Sequence, residues 1–204
     1  MGQSMEQLEY SDDARVKEEA ILLLKCLARG AGSLLEPYVP AMLQHMLRQM
    51  HDESAPQAVV QACLSAVGEL SLVSHSAVRP YLHVILPEVI RALQDQTVLQ
   101  KTEIAMRALG QIVSSTGDVV TPYLEYPELL DAVLDALKVK VAVIASHVGG
   151  GSSGQDGDDS SGGYRLRIEA IRTVGILGAL APTKLPLLRA GMLPMIVHGE
   201  KSVG

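Results

Sequence analysis

The chain has 204 residues, enough for one ordinary domain or an array of smaller units. Hydrophobic residues make up 48% of it and aromatics only 3%, so a core must be filled by Leu, Ile, Val, Ala and Met, which suits close helix packing better than an aromatic sandwich. A net charge of −6 argues against a nucleic-acid footprint, which needs a basic stripe, and no apolar run approaches the roughly 18 residues of a membrane span.

The opening "MGQSMEQLEYSDDARVKEE" is polar and acidic and lacks a signal-peptide pattern. Met1-Gly2 followed by Glu6 lacks the Ser or Thr of a myristoylation site. Residues 1–14 therefore read as a polar N-terminal tail, and "EYSDD" as a solvated helix entry. Cys26 and Cys63 sit far apart in apolar periodic segments, and read as small buried thiols of a reducing cytosol.

From residue 15 the chain repeats itself. Pro37-Tyr38, Pro80-Tyr81 and Pro122-Tyr123 recur at spacings of 43 and 42, and Gly68 and Gly110 lie 42 apart. Asp52 and Asp95, each closing an apolar helix, are 43 apart. Within a period the spacing predicts two amphipathic helices. The first carries Val59, Val60, Cys63, Leu64 and Val67, matched by Ile104, Ala105, Ala108, Leu109, Ile112 and Val113. The second carries Ile85, Leu86, Val89, Ile90 and Leu93, matched by Leu129, Leu130, Val133, Leu134 and Leu137. Pro80 and Pro122 fall where a first helical turn tolerates a missing N–H; Pro87 and Pro127 lie deeper and predict a late start or a kink.

A hairpin of this size cannot bury both faces alone, so stacking predicts an α-solenoid. The period falls in the ~40–47 band of HEAT and armadillo repeats rather than the ~34 of tetratricopeptide repeats, and two helices per unit favour HEAT. Asp95 with Lys101 six residues later resembles the acid–base ladder of HEAT stacks, whereas Asp52 finds Ala58 at that spacing. The expected fold is all-α: a right-handed stack of three HEAT-like units over 15–138 and a partial fourth over 164–197, with a C-terminal tail at 198–204.

Between them, 139–163 reads as a disordered Gly/Ser/Asp-rich insertion, because Gly175 follows Gly110 by one period plus about 23 residues. Its tract "GGGSSGQDGDDSSGG" fails as a phosphate cradle: no Lys-Ser or Lys-Thr follows and no strand precedes. As a calcium loop from Asp156 it would place Ser161 and Arg167 where Gly and Glu are required. The preceding "VKVAVIASHV" is β-prone. His45, His51, His75, His83, His147 and His198 form no H-E-x-x-H and no cluster with Cys. Ser33, Ser71 and Ser74 read as turn residues, outside any G-x-S-x-G. No residue is assigned to catalysis, to a cofactor or to a metal.

"LGQIVSSTG", "PYLEYPELL" and "EAIRTVGILGAL" are more specific than a generic repeat. With "LARGAGSLLEPYVPAML" and "GELSLVSH" they resemble the helical-repeat half of the target-of-rapamycin (TOR) serine/threonine kinases, over about residues 15 to 184. In that family a few residues stand where this chain carries its Gly/Ser/Asp tract, and the chain departs from the pattern after Lys184. The resemblance implies a non-catalytic scaffold segment in nutrient-responsive growth signalling. Its partners would be raptor-type subunits and flanking HEAT repeats, and its location cytoplasmic, with peripheral endomembrane or nuclear association. The kinase's catalytic loop, D-F-G and Gly-rich nucleotide loop are absent here, so no ATP-binding or catalytic residue is carried over. The alternative is an independent HEAT adaptor of the phosphatase-scaffold or transport-receptor kind; an enzyme is the third reading.

Overall fold

The computed structural model of the protein describes residues 13–95, 97–117, 121–147 and 159–180. The described residues form helices and turns, with no strand among them. Helix α1, Ala14–Ala31, starts at Asp13, whose carboxylate accepts a hydrogen bond from the Arg15 N–H at 2.9 Å and so satisfies one of the first turn's orphan donors. It stops at Gly32, whose φ of 54° lies where a side chain would be strained. A 3₁₀ segment, Gly32–Tyr38, carries Pro37 and leads into α2, Val39–His51, which has a proline in its first turn.

The second unit follows the same plan. Helix α3 spans Gln57–Val73; a short α4, His75–Val78, and a 3₁₀ turn, Arg79–Tyr81, deliver Pro80 to the first turn before α5, Leu82–Gln94. Pro87 lies inside α5, and the helix runs through it; Pro87 and His83 are both exposed, so water can reach the carbonyl four residues back that loses its donor. In the third unit α6, Leu99–Thr116, ends at Gly117 (φ 68°). A five-residue α7, Thr121–Glu125, contains Pro122, and α8, Glu128–His147, begins directly after Pro127, the late start its spacing implied. Helix α9, Asp159–Leu180, is the first helix of a fourth unit.

First helices stack on first helices: α1 on α3, α3 on α6 and α6 on α9. Each second helix also packs on the first helix of the next unit, α2 on α3, α5 on α6 and α8 on α9. The result is the expected α-solenoid. Its core is continuous from Ile21 and Leu24 through Met46, Leu64, Leu86 and Leu109 to Leu137 and Val174, and the largest fully buried side chains include no aromatic ring. Burial of each Leu or Ile is worth about 1.5–3 kcal/mol, so this row of side chains holds the units together.

The glycines at 68 and 110 have a steric reason. A Cβ on Gly68 would lie 3.1 Å from the Ala108 Cα, and one on Gly110 would lie 3.0 Å from the Thr173 Oγ1. At both positions the next first helix leaves no room for a side chain without a shift of its neighbour.

Four expectations are corrected. Residues 139–147, read as part of a disordered insertion and as β-prone, continue α8. A helix already nucleated by "ELLDAVLDALK" adds one hydrogen bond per residue, which outweighs the weak strand preference of Val and Ile. Residues 159–163 belong to α9, although Gly162 and Gly163 each cost a helix about 1 kcal/mol. Ser71 lies within α3 rather than at a turn, donating to the Gly68 carbonyl at 2.6 Å. Cys26 is exposed, not buried, while Cys63 is buried as expected. Residues 148–158, most of the 1–14 tail and everything after Leu180, including His198 and the 198–204 tail, lie outside the described residues.

Candidate functional site

The stack presents two series of polar contacts, one along its first helices and one along the edge where units join. Along the first helices, Lys25 of α1 donates to the Ser65 hydroxyl of α3 at 2.6 Å. Next to it the Arg29 guanidinium donates two hydrogen bonds to Glu69, at 2.8 and 2.7 Å. Glu69 is buried, and the Gln111 amide of α6 donates to the same carboxylate at 3.2 Å. One side chain thus ties three consecutive units together. The Arg29 hydrogen bond holds the Glu69 carboxyl below the usual carboxylate range, with Gln111 assisting against the cost of burial. Further along, Arg107 of α6 donates to Glu103 at 2.7 Å and to Glu169 of α9 at 3.2 Å, and Glu169 also accepts from Arg172 at 2.9 Å.

This ladder was missed by the sequence reading. The signal was available: Glu69 sits on an otherwise apolar stripe, with Arg29 and Gln111 40 and 42 residues away. A charge on a buried face that finds polar partners one period away on each side is an inter-unit bond.

At the joining edge, Asp52 and Asp95 close α2 and α5. Each carboxylate accepts from a backbone N–H two residues on, Ser54 at 2.9 Å and Thr97 at 3.1 Å, and from that residue's hydroxyl. Lys101 then donates to Asp95 at 2.8 Å, the pair its spacing predicts, and Asp95 is pushed down to about 2, by Lys101 first and Thr97 second. Asp52 is lowered too, by Ser54, without such a partner at Ala58. Arg91 of α5 reaches back to the Met50 carbonyl of α2 at 2.7 Å while pairing with Glu88, which His51 also contacts at 3.2 Å.

Two grooves open on this edge, one period apart. The first, about 370 Å³, opens at the junction of units one and two and reaches Lys101 of unit three; Asp52, Glu88, Arg91 and Asp95 also line it. Its charges are largely partnered within the wall. The second, about 380 Å³, is lined by Leu93, Leu99, Ala132, Ala136 and Leu166 beneath Glu128 and Asp131. Leu166 stands 65 residues after Lys101, one period plus the insertion, so the cation of the first groove is replaced by an apolar side chain.

His45 and His51 lie on α2, His75 opens α4, and His83 lies on α5. Among the described residues no group of three or more His, Cys, Asp or Glu could hold a metal ion. Burial pushes the Cys63 thiol up to about 12, so it stays protonated and inert at neutral pH. Burial also raises Tyr123. Among the described residues no helix is long and apolar enough to cross a membrane.

Residues 1–127 match the profile of a family described as IPO5-like, TPR repeats. The 42–43-residue spacing here is the longer, HEAT-type period rather than the ~34 of tetratricopeptide repeats. The chain is 32% identical over 183 residues to serine/threonine-protein kinase TOR of Oryza sativa subsp. japonica, covering 88% of this chain and 7% of that protein. It is 33% identical to TOR of Arabidopsis thaliana over 88% of this chain, and 33% identical to TOR2 of Saccharomyces cerevisiae over 87%, in each case 6% of the relative. The chain therefore spans only about 6–7% of the length of these curated relatives. Among solved structures, the crystal structure of an engineered protein superposes with a TM-score of 0.64 at 16% identity, over 87% of this chain and 63% of that one, and supports the fold alone. The spacing, the stacked hairpins and these matches together make the chain a member of the IPO5-like helical-repeat family, similar along nearly nine-tenths of its length to the TOR kinases.

Proposed function

We propose that this chain is a non-catalytic scaffold segment of a TOR-type kinase, a piece of solenoid that organises protein–protein contacts in a growth-signalling complex. The observation that carries it is the match to TOR kinases along 88% of the chain by a stretch that folds throughout its described part as stacked helices. Kinase activity belongs to those relatives as whole proteins. In this segment buried or half-buried polar groups hold unit to unit, as Glu69 and Asp95 do. The partners proposed are flanking HEAT repeats and a raptor-type subunit, and the location is cytoplasmic, with peripheral membrane or nuclear association as part of the assembly.

The test has two arms. The purified chain with ATP and a peptide substrate should transfer no phosphate above a blank, and nucleotide should leave its melting temperature unchanged, since any ligand of the native state raises it. The full-length polypeptide should retain a raptor-type subunit, and deleting residues 15–138 should release it. Phosphate transfer by the chain alone, or retention after the deletion, would overturn the proposal. A second reading, an independent helical-repeat adaptor, is favoured by the match of residues 1–127 to IPO5-like repeats. It requires the 204-residue chain to bind its partner without a kinase attached.

A further inference from the structure

The two grooves of the joining edge occupy the same place in successive units, and their walls differ in charge. Met50 and Gln57 of the first correspond to Leu93 and Leu99 of the second, at spacings of 43 and 42. In the first groove Arg91 pairs with Glu88 and donates to the Met50 carbonyl near the carboxyl end of α2, while Lys101 pairs with Asp95. Among the described residues that line the second, none is Lys, Arg or His. Aligned on Pro87 and Pro127, the counterpart of Arg91 is Asp131; aligned on the apolar stripe, it is Asp135. Either register puts an aspartate where the arginine stood, and Leu166 takes the place of Lys101.

A carboxylate at that place cannot donate to a carbonyl as Arg91 does. The carboxyl end of α5, where the helix dipole is negative, therefore meets further negative charge from α8. Glu128 and Asp131 are exposed, three residues apart and so on one side of α8, and neither carboxylate has a hydrogen-bond or ion-pair partner among the described residues. Beneath them Leu93, Leu99, Ala132, Ala136 and Leu166 make an apolar floor in a volume of about 380 Å³. Carboxylates above such a floor repel nucleic acid and acidic headgroups, and suit a side chain that is apolar along its stem and cationic at its tip. Arginine fits best, because its planar fork engages two carboxylate oxygens at once, as Arg29 does on Glu69.

We propose that the second groove is a docking site for a segment of a protein partner that presents an arginine beside a leucine-like side chain. The guanidinium meets Glu128 and Asp131 and supplies the cation that Arg91 supplies from within the preceding unit, while the apolar neighbour covers Leu99. The first groove, with its own cations in place, takes no such guest. The inference rests on the reading of the chain as a scaffold and names the chemistry of one partner.

The probe is a fluorescein-labelled helical peptide of leucine, alanine and arginine, its arginines one turn apart, titrated with the 204-residue chain and read by fluorescence anisotropy. Binding should saturate, and exchanging the peptide's arginines for glutamate or its leucines for alanine should weaken it by roughly tenfold or more. Asp131→Arg should weaken it as much, whereas Glu19→Arg, the same charge change at an exposed position of α1, should leave it within about twofold. The pair Glu128→Gln, Asp131→Asn removes the charges without adding bulk and should reproduce the loss with the melting temperature unchanged. Equal weakening by Asp131→Arg and Glu19→Arg would reduce the attraction to the net charge of −6 and overturn the inference, as would full binding of the leucine-free peptide. Self-association that Asp131→Arg abolishes would give the groove to a second copy. Probe binding that appears only after Lys184→Glu, Arg189→Glu would give it to the chain's own C-terminal stretch; either result overturns the proposal of a partner. The assay contains neither a kinase nor a raptor-type subunit, so the two proposals fail separately. Retention of that subunit by residues 15–138 with no peptide bound sinks this inference alone, and peptide binding without such retention removes that subunit and keeps the groove.

Discussion

Helix α3, with a first helix on each side, buries Ala62, Cys63, Leu64, Ala66, Val67 and Leu70, whereas α1, with a described first helix on one side alone, buries Ala20, Ile21, Leu24 and Ala28. Helix α1 carries Arg15, Lys17, Glu18, Glu19, Lys25 and Arg29 where α3 has Glu69 as its one charged residue, so part of the difference is composition; the exposure of Leu22 and Leu23 is the part that neighbours decide. In a repeat array a leucine is a core residue only if the next unit supplies the other wall, and the same side chain at the end of the stack is surface.

The sharpest way to break this comparison is to truncate one leucine in each setting. Leu64 is fully buried, and Leu64→Ala should cost about 2–5 kcal/mol by the loss of transfer energy and the cavity left behind. Leu23→Ala, at half exposure, should stay within about 0.5 kcal/mol. Denaturant midpoints of the two variants measure both. Similar losses would mean that α1 has a wall on its outer side after all.

A smaller effect is expected from the ladder. Glu69 accepts two bonds from Arg29 and one from Gln111, and hydrogen bonds to charged groups contribute about 1.5–3 kcal/mol. The Arg29 side chain is 63% exposed and is screened, so Glu69→Ala should cost nearer the low end, about 1–2 kcal/mol. The pH dependence has a definite sign. The folded pKa is depressed, so the contribution is complete above the unfolded carboxylate value of about 4.3 and fades as pH falls through the folded value. The stability gap between wild type and variant should therefore shrink in acid. A gap that widens there would assign the cost to repacking instead.

Legibility followed locality. Asp95 and Lys101 are six residues apart on either side of one turn, and their pairing was readable because chain connectivity brings them together. The helices around Pro80, Pro122 and Pro127 were readable for the same reason: a proline's missing donor acts on its own turn. The exposure of Cys26 was not readable, because it depends on whether another unit lies beyond α1. Residues 139–147 were misread because a low-complexity neighbour was allowed to set the state of an apolar run whose own continuity with α8 decides it.

Glycines sharpen the comparison at a finer scale. Replacing Gly by Ala inside a helix gains about 1 kcal/mol of propensity. At Gly68 a new Cβ would press on the Ala108 backbone at 3.1 Å and on the Gln111 side chain engaged with Glu69, and overpacking costs about 1–3 kcal/mol. Gly68→Ala should thus destabilise by about 1 kcal/mol net. Gly175 occupies the same position one unit after Gly110 and has nothing within 4 Å of the added carbon, so Gly175→Ala should stabilise by up to about 1 kcal/mol. Thermal melts moving in opposite directions would match the interior and the end of the stack; two shifts of the same sign would not.

The smallest difference separates the two edge aspartates. Both make the same turn, through Ser54 and Thr97, but Asp95 alone of the two accepts from Lys101, whose side chain is 11% exposed. Asn keeps the turn's acceptor while removing the charge. Asp52→Asn should therefore change stability by less than about 0.5 kcal/mol, and Asp95→Asn by about 1 kcal/mol, since it leaves a largely buried ammonium with a weaker partner. Asp95 has the depressed pKa of about 2, so its contribution is present above the unfolded value of about 3.9 and lost as pH falls through about 2. Between those two pH values Asp95→Asn should converge on wild type. A double-mutant cycle with Lys101→Met isolates the pair: the coupling should be at most about 1 kcal/mol and should weaken in 1 M salt, where screening acts within about 3 Å. Zero coupling at low salt would leave Asp95 as a turn-former equivalent to Asp52, and the second unit's edge would then owe nothing to its lysine.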